Sequence, residues 1–230
     1  MKTIGLLGGM SWESTALYYK LINEEIKKQL GGLHSAKVVI YSVDFDEIEK
    51  LQHLGAWDET AKILGEAAKN IQNASADFLV ICTNTMHKVA PLIRTYIDIP
   101  ILHIADATGK KLQNENIKKV GLLGTAFTMQ QDFYKERIYK NFDIEVLIPS
   151  EEDMTIVHKI IYEELCLGLI REDSKKEYLR IIDILASKGA QGIILGCTEI
   201  GMLVNQADTQ VKLYDTTVIH SLEAVAEALK

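Results

Sequence analysis

The chain of 230 residues lacks the features that mark several classes of protein. It has only three cysteines, and this odd number without paired spacing argues against a disulfide framework. No apolar run approaches the roughly 20 residues of a membrane span. The first residues, MKTIGLLGG, have neither the apolar length nor the cleavage site of a secretory signal peptide. We therefore expect a cytoplasmic protein with free thiols.

Positive charge is also scarce. The chain has 25 lysines and arginines against 32 acidic residues, for a net charge of −7. It has no basic run and no interleaving of basic and aromatic residues, so we expect neither nucleic acid nor a membrane as a partner. A small anionic substrate is still compatible with this charge, because its binding depends on local donors.

Only three prolines are present, and each lies near the end of a predicted element. Apolar runs alternate with segments of helical spacing, which indicates a mostly parallel α/β sheet. The predicted strands are 3–8, 37–43, 78–82, 99–103, 118–123, 144–148, 191–196 and 211–214. The predicted helices are 13–30, 58–73, 88–95, 105–114, 129–141, 153–168, 173–188 and 217–229.

One sequence pattern occurs twice in the chain. Residues 80–87, VICTNTMH, align without gaps with ILGCTEIG, 114 residues later. IGLLG at 4–8 recurs as VGLLG with an offset of 116, and the strand at 99–103 has a counterpart with an offset of 112. A single pair could be a chance likeness of apolar strands. Three pairs in the same order predict a duplicated half of about 115 residues.

We therefore predict an α/β protein of two pseudo-symmetric, doubly wound parallel-sheet domains, with the active site in the cleft between them. No low-complexity linker separates the halves, and the last strand-helix unit of each half is expected to cross to the other. The predicted domains are residues 1–97 plus 209–230 and residues 98–208.

Two residues at equivalent strand ends carry the chemistry. Thr83 and Cys197 each end an apolar run, and ligand sites in open α/β sheets lie beyond the carboxyl ends of such strands. Two equivalent groups suit a substrate that is approached from opposite faces, as in a racemase or epimerase. A strand-to-helix turn is expected to lower the pKa of the Cys197 thiol and make it a base. Thr83 has no accessible ionisation near neutral pH and is expected to donate a proton.

Both residues also have simpler interpretations. Cysteine is often a small buried core residue, and this is the alternative for Cys197. Thr83 could form a plain hydrogen bond to the substrate, or could mark the loss of racemase activity.

These motifs resemble the aspartate/glutamate racemase family over the whole chain. The resemblance depends on GGMSW at 8–12, NTMH at 84–87, GT at 124–125 and GCTE at 196–199. It implies a cofactor-independent racemase that acts on an acidic amino acid, L-aspartate or L-glutamate, by two-sided proton transfer at Cα.

One position departs from the usual family motif, which has cysteine directly before Asn-Thr. Here that position is Thr83, which is similar to the bacterial L-aspartate/glutamate-specific racemases with threonine at the first catalytic position. This implies that the two directions of proton transfer are unequal. Cys82 lies one residue earlier and should point to the opposite face of the strand, so we predict a buried structural thiol.

The resemblance also implies a set of substrate-binding residues. Amides and hydroxyls after the strands would bind the carboxylates, helped by helix N-termini, and Glu199 would receive the ammonium or orient its neighbour. The set is Met10, Ser11, Gln52, Asn84, Thr85, Thr125, Thr128, Thr198 and Glu199. We expect no metal, because no cysteine–histidine spacing fits a closed metal site.

Two further functions stay open. One is a single-thiol decarboxylase or isomerase of the same superfamily; the other is a non-catalytic protein that binds an acidic metabolite. His87 and His220 could orient the site or only pack helices, and Cys166 is expected in the core. A homodimer is possible through Tyr18–Tyr19 and Trp57, which we expect to be exposed.

Overall fold

A computed structural model describes all 230 residues, which form two compact units. One unit comprises residues 1–104 and 220–230, and the other comprises residues 105–219. The first unit is discontinuous because the chain leaves it after β4 and returns within the last helix. Compact units need not coincide with domains of common descent, so the domain limits at residues 97 and 209 stay a prediction.

The first unit is built on a parallel four-stranded sheet with the order β2-β1-β3-β4. Its strands are β1 (Ile4–Gly8), β2 (Val38–Ser42), β3 (Phe78–Ile81) and β4 (Ile101–Leu102). Its helices are α1 (Trp12–Leu30), α2 (Phe45–His53), α3 (Trp57–Asn73) and α4 (Ala90–Ile93), with 3₁₀ turns at Thr85–Val89 and Arg94–Tyr96.

The second unit has a parallel four-stranded sheet with the equivalent order, β6-β5-β7-β8. Its strands are β5 (Lys119–Gly124), β6 (Glu145–Leu147), β7 (Ile193–Gly196) and β8 (Leu213–Asp215). The remaining helices are α5 (Ile104–Asn114), α6 (Ala126–Gln130), α7 (Asp132–Phe142), α8 (Glu151–Glu163), α9 (Glu172–Ser187), α10 (Ile200–Leu203) and α11 (Thr216–Ala228), with 3₁₀ turns at Leu165–Leu167 and Gln206–Asp208.

All eight strands predicted from the sequence are present, and two parallel sheets of the same strand order confirm the predicted α/β fold. The central strands β1, β3 and β7 are buried along their whole length, as parallel strands covered on both faces must be. The edge strand β2 is only half-buried to exposed.

Successive side chains of β3 enter different cores. Leu79 and Ile81 belong to the cluster on the α3 side of the sheet. Val80 and Cys82 belong to the cluster on the α1 side, which contains Tyr18. The prediction that Cys82 is a buried structural thiol is therefore confirmed, and burial raises its pKa.

The helix predictions needed several corrections. Helices α2 and α10 were missed, because they are too short to show a helical period. The predicted helix 129–141 is two helices, since Gln131 is extended with φ −85° and ψ 150°. The predicted helix 153–168 stops at Glu163, because Glu164 departs from helical angles and Gly168 is left-handed with φ 72°.

Three burial predictions were wrong. Cys166 was expected in the core, but it is exposed on the 3₁₀ turn Leu165–Leu167. Tyr18 and Trp57 were expected on the surface with Tyr19, but Tyr18 is fully buried, Trp57 is half-buried against the core, and only Tyr19 is exposed. No helix of the protein has the length and apolar character needed to cross a membrane.

His220 is a buried histidine that lies inside α11. Its Nε2 is 2.8 Å from the carbonyl oxygen of Leu102, which can only accept, so this nitrogen carries the proton. Its Nδ1 then accepts from the Tyr18 hydroxyl at 2.9 Å. Burial lowers the pKa of His220 to about 4, so the ring is neutral at physiological pH.

We expect His220 to make the folded state sensitive to acid. Its folded pKa is below the unfolded value of about 6.5, so the unfolded state binds the proton first and stability falls as pH drops through that window. Between about pH 7.5 and about pH 5, this one group should reduce the free energy of unfolding by about 2 kcal/mol. Urea titrations at the two pH values should show a smaller decrease for His220→Gln, which keeps a donor and an acceptor but does not titrate.

The exposed His34 offers a matched control, since His34→Gln should leave the decrease unchanged. An equal decrease in the wild type and in His220→Gln would contradict the assignment.

Candidate active site

The backbone at the carboxyl end of β3 is held by side chains on both sides of Thr83. The Ser14 hydroxyl donates to the carbonyl of Cys82 at 2.9 Å. His87 Nδ1 lies 2.8 Å from the carbonyl of Thr83. The other ring nitrogen of His87 accepts from the backbone N–H of Ile104 at 3.2 Å, so Nδ1 carries the ring proton and donates it to Thr83. Thr83 itself is half-buried.

The residues after Thr83 turn inward. Asn84 and Thr85 are both buried, with 4% and 5% of their surface exposed. Thr85 begins the 3₁₀ turn that leads into α4. A buried amide side chain and a buried hydroxyl therefore follow Thr83 directly in the chain.

The turn after β1 lies at the same edge of the sheet, because β1 and β3 pair in parallel with Leu7 opposite Ile81. Met10 is buried there, and Ser11 caps α1 by accepting from the backbone N–H of Ser14 at 3.3 Å. Position 8 requires a glycine, because a Cβ there would lie 2.3 Å from the Thr15 side chain. The structure thus places Met10 and Ser11 beside the strand that carries Thr83.

Gln52 is buried on α2, the short helix that follows β2 at this edge, with 3% of its surface exposed. Its Oε1 has no hydrogen-bond partner in the protein. A buried acceptor without a partner costs about 1–3 kcal/mol, so this oxygen is suited to receive an N–H or O–H from a ligand.

At the carboxyl end of β7, Glu199 organises the polar groups. Its Oε2 accepts from the Cys197 thiol at 2.9 Å and from the Thr198 hydroxyl at 2.8 Å. Cys197 and Thr198 are half-buried and Glu199 is buried. Glu199 precedes α10 but its side chain does not cap that helix. Both neighbours therefore bond the same oxygen of a buried carboxylate.

The electrostatics of Cys197 differ from the expectation. Burial raises the pKa of this thiol well above its ordinary value, and the adjacent Glu199 carboxylate raises it further. The backbone N–H of Glu199 also bonds the sulfur and lowers the pKa of the thiol, but burial and the carboxylate have the larger effect. The expected lowering of the pKa by the strand-to-helix turn is therefore wrong, because burial and the Glu199 carboxylate raise it instead.

The turn after β5 lies next to Cys197. Gly124 pairs with Gly196, and a Cβ on Gly124 would lie 3.1 Å from the Gly196 carbonyl oxygen, so the two strand ends are close-packed. Thr125 caps α6 by accepting from the backbone N–H of Thr128 at 3.4 Å, and the two threonine hydroxyls are 3.3 Å apart. The structure therefore brings Thr125 and Thr128 together, at the edge where β7 ends.

The side chains behind the two strand ends differ. His87 in the first unit corresponds to Gly201 in the second, where a Cβ would lie 3.0 Å from Asp215 Oδ2. Asp215 in turn corresponds to His103, whose ring centroid is 4.4 Å from that of His87. The first strand end is thus backed by imidazoles, and the second by a carboxyl group whose pKa is raised by burial.

Sequence reasoning missed three residues that shape these turns. Ser14 binds the Cys82 carbonyl, and His158 Nδ1 accepts from the backbone N–H of Ala126 at 3.2 Å. Lys88 places its Nζ 3.8 Å from the centre of the Trp57 ring, and burial lowers its pKa. A lysine directly after the NTMH motif was visible in the sequence, whereas Ser14 and His158 are far in the chain from the residues that they bond. No group of three or more His, Cys, Asp or Glu side chains is arranged to hold a metal ion.

Comparison with known proteins gives a consistent result. The family model for Asp/Glu/hydantoin racemases matches residues 7–229. The broad specificity amino-acid racemase RacX of Bacillus subtilis is 22% identical over 98% of each chain. A proposed Asp/Glu racemase from Yersinia pestis is 53% identical with a TM-score of 0.95, and an aspartate racemase homologue from Pyrococcus horikoshii is 33% identical with a TM-score of 0.85; both matches cover 100% of each chain. The chain therefore belongs to the Asp/Glu/hydantoin racemase family.

Proposed function

We propose that this protein is a cofactor-independent racemase of acidic amino acids, with L-aspartate or L-glutamate as substrate. Cys197 and Thr83 act on opposite faces of the substrate Cα. The observation that carries the proposal is the hydrogen bond from the Cys197 thiol to the buried carboxylate of Glu199, at 2.9 Å. The pair supplies a nucleophilic sulfur with its own proton acceptor, at the strand end equivalent to that of Thr83.

The raised pKa of Cys197 requires a local acceptor for the thiol proton. Glu199 fills this role, since its Oε2 already receives the S–H hydrogen bond. When the proton moves to Oε2, the thiolate can remove the Cα proton of the substrate. The hydroxyl of Thr83 then protonates the resulting carbanion on the other face, and the threonine alkoxide regains its proton from water while Glu199 releases the thiol proton to water. Thr198, which donates to the same carboxylate oxygen, keeps Glu199 aimed at the sulfur.

The remaining residues of the predicted site bind the substrate in this proposal. The α-carboxylate meets the amide and hydroxyl of Asn84 and Thr85, with backbone groups of Met10 and Ser11 beside them. The buried Oε1 of Gln52 accepts from the ammonium.

The second unit binds the other end of the substrate. There the side-chain carboxylate of aspartate or glutamate meets the hydroxyls of Thr125 and Thr128, which lie 3.3 Å apart.

The difference between the thiol on one face and the hydroxyl on the other can be seen in some rates but not in kcat/KM. Enantiomers have equal free energies in water, so kcat/KM must be the same in the two directions whatever the proton donors are. The difference between the two groups appears instead as exchange of the Cα proton with solvent without inversion of configuration. The enantiomer whose Cα–H faces Cys197 should exchange with solvent faster than it inverts, because inversion also needs Thr83.

The central test follows the Cα proton in deuterium oxide with each enantiomer of aspartate and glutamate. We expect solvent deuterium at Cα in the wild type and none in Cys197→Ser, because a serine hydroxyl cannot form a comparable base. Thr83→Val, which keeps the shape but removes the hydroxyl, should retain exchange of one enantiomer and lose inversion about 10²–10⁴-fold. Proton NMR and chiral chromatography measure the two rates.

Absence of exchange with every acidic amino acid would refute the proposal. Carbon dioxide release from a substituted malonate would then indicate a single-thiol decarboxylase. Tight binding of an acidic amino acid without exchange, measured by calorimetry, would indicate a binding protein.

A thiol at position 83 should improve the enzyme. Thr83→Cys gives both faces a group that can reach its anionic form, so we expect inversion to accelerate and the ratio of exchange to inversion to approach one. The two directions should gain equally in kcat/KM. A variant that folds normally but shows no change in this ratio would mean that Thr83 does not limit proton transfer.

The coupling between Cys197 and Glu199 can be measured without turnover. Glu199→Gln removes the carboxylate charge, so the pKa of the Cys197 thiol should fall and its alkylation by iodoacetamide near about pH 8 should accelerate. The experiment is done in a Cys166→Ala background, because Cys166 is exposed, whereas Cys82 is buried. Glu172→Gln, at an exposed position, is the matched control. Slower or unchanged alkylation of Glu199→Gln would contradict the electrostatic role of Glu199.

A further inference from the structure

We propose that His87 and Ser14 are positioning residues that clamp the two peptide groups flanking Thr83 and so aim its hydroxyl at the substrate. This inference rests on the proposed function of Thr83. It concerns side chains that do not react themselves, and it follows from the hydrogen bonds that the carbonyl oxygens of Cys82 and Thr83 accept.

His87 takes over a backbone bond that a regular helix would supply. In an α-helix the N–H of His87 would donate to the carbonyl of Thr83, four residues earlier. Here that N–H donates to Asn84 at 3.1 Å, as in a 3₁₀ turn. The Thr83 carbonyl receives the Nδ1–H of the His87 ring instead, at 2.8 Å.

The ring of His87 is itself fixed. It is 1% exposed, and its Nε2 accepts the backbone N–H of Ile104. The ring of His103 lies 4.4 Å away, centre to centre, and that of His220 lies 5.8 Å away. An imidazole with both nitrogens bonded and other rings against it cannot turn without breaking these contacts.

Ser14 holds the preceding peptide group. It is 3% exposed, and its hydroxyl donates to the carbonyl of Cys82 at 2.9 Å. The N–H of the same Cys82 donates to Leu7 in the neighbouring strand at 2.9 Å. The residue before Thr83 is therefore tied to both β1 and α1.

Clamping the backbone determines where the Thr83 hydroxyl lies. Threonine is β-branched, so its side chain has few rotamers and its direction follows the backbone. With both flanking carbonyls bonded, neither peptide plane can rotate freely. A displacement of about 1 Å of a reacting group can cost about 10²-fold in rate, so the clamp matters for a weak donor such as a hydroxyl.

The other strand end shows that this arrangement is specific to Thr83. Gly201 replaces His87 there and offers no side chain, and the Cys197 carbonyl accepts from the backbone N–H of Ile200 at 3.2 Å. The sulfur is bonded directly by Glu199 instead. One reacting group is thus aimed through its backbone and the other through its side chain.

The test compares His87→Ala, His87→Asn and Ser14→Ala with the wild type in deuterium oxide. If His87 positions Thr83, His87→Ala should lower inversion about 10–100-fold. Exchange of the enantiomer that faces Cys197 should be almost unchanged, so the ratio of exchange to inversion should rise by the same factor. His87→Asn places an N–H donor near the position of Nδ1 and should recover most of the inversion rate. Ser14→Ala should show the same change in ratio, and His34→Ala, at an exposed histidine, should show none.

A general loss of structure gives a different result. Exchange and inversion would then fall together, without recovery in His87→Asn, and that outcome would overturn the inference, as would an unchanged inversion rate in a folded His87→Ala. If His87→Ala does not fold, Ser14→Ala takes its place. A raised ratio of exchange to inversion in Ser14→Ala, with a nearly normal ratio in His87→Asn, supports the inference. An equal fall of both rates overturns it.

A readout without turnover separates this inference from the proposed function. The methyl resonance of Thr83, assigned through its loss in Thr83→Cys, should shift or broaden in His87→Ala and return in His87→Asn. If the wild type exchanges no acidic amino acid, the proposed function fails while the clamp can still be seen by NMR. If exchange occurs but the methyl resonance is unaffected, the clamp alone fails.

Discussion

Parallel pairing of β1 with β3, and of β5 with β7, is the constraint on which the rest of the site depends. Because parallel strands end at the same edge, each pairing brings two turns from distant parts of the chain side by side. In the second unit, the contact of Gly124 with Gly196 leaves no room for side chains between the strands. Apart from Gln52 on α2, the polar groups that the proposed chemistry uses follow the ends of these four strands.

The two units keep the same strand order but differ in the side chains behind their strand ends. Imidazoles stand behind Thr83, and a carboxylate bonds Cys197. This difference matches the chemistry of each group. A thiol needs an acceptor for its proton before it can act as a base, whereas a hydroxyl that only donates needs accurate placement. In the proposed mechanism, two units of the same strand order thus support proton transfer in two unlike ways.

Glu199 has two opposing effects on Cys197. Its charge adds to the effect of burial in raising the pKa of the thiol. The same carboxylate is the nearest acceptor for the thiol proton when the sulfur is to become a base. In the proposed mechanism, the carboxylate that disfavours the thiolate is thus also the group that takes up the thiol proton.

The sequence alone determined the strands, the duplication and the identity of the residues at the two strand ends, because these depend on local apolar runs and on repeated motifs. It also determined that Cys82 is buried, since the period of two along a strand places it opposite its neighbour. Helix α2 could not be found in this way, because nine residues show no clear helical period and the buried Gln52 there is polar.

Only the tertiary structure decided what each strand-end residue contacts. The raised pKa of Cys197 results from burial and from the direction of one carboxylate, neither of which the motif reveals. The bonds of His87 and Ser14 to the peptide groups around Thr83 join segments that are far apart in the chain or that depend on a 3₁₀ turn. Such contacts follow from how helices pack on the sheet, so composition and spacing carry no signal for them.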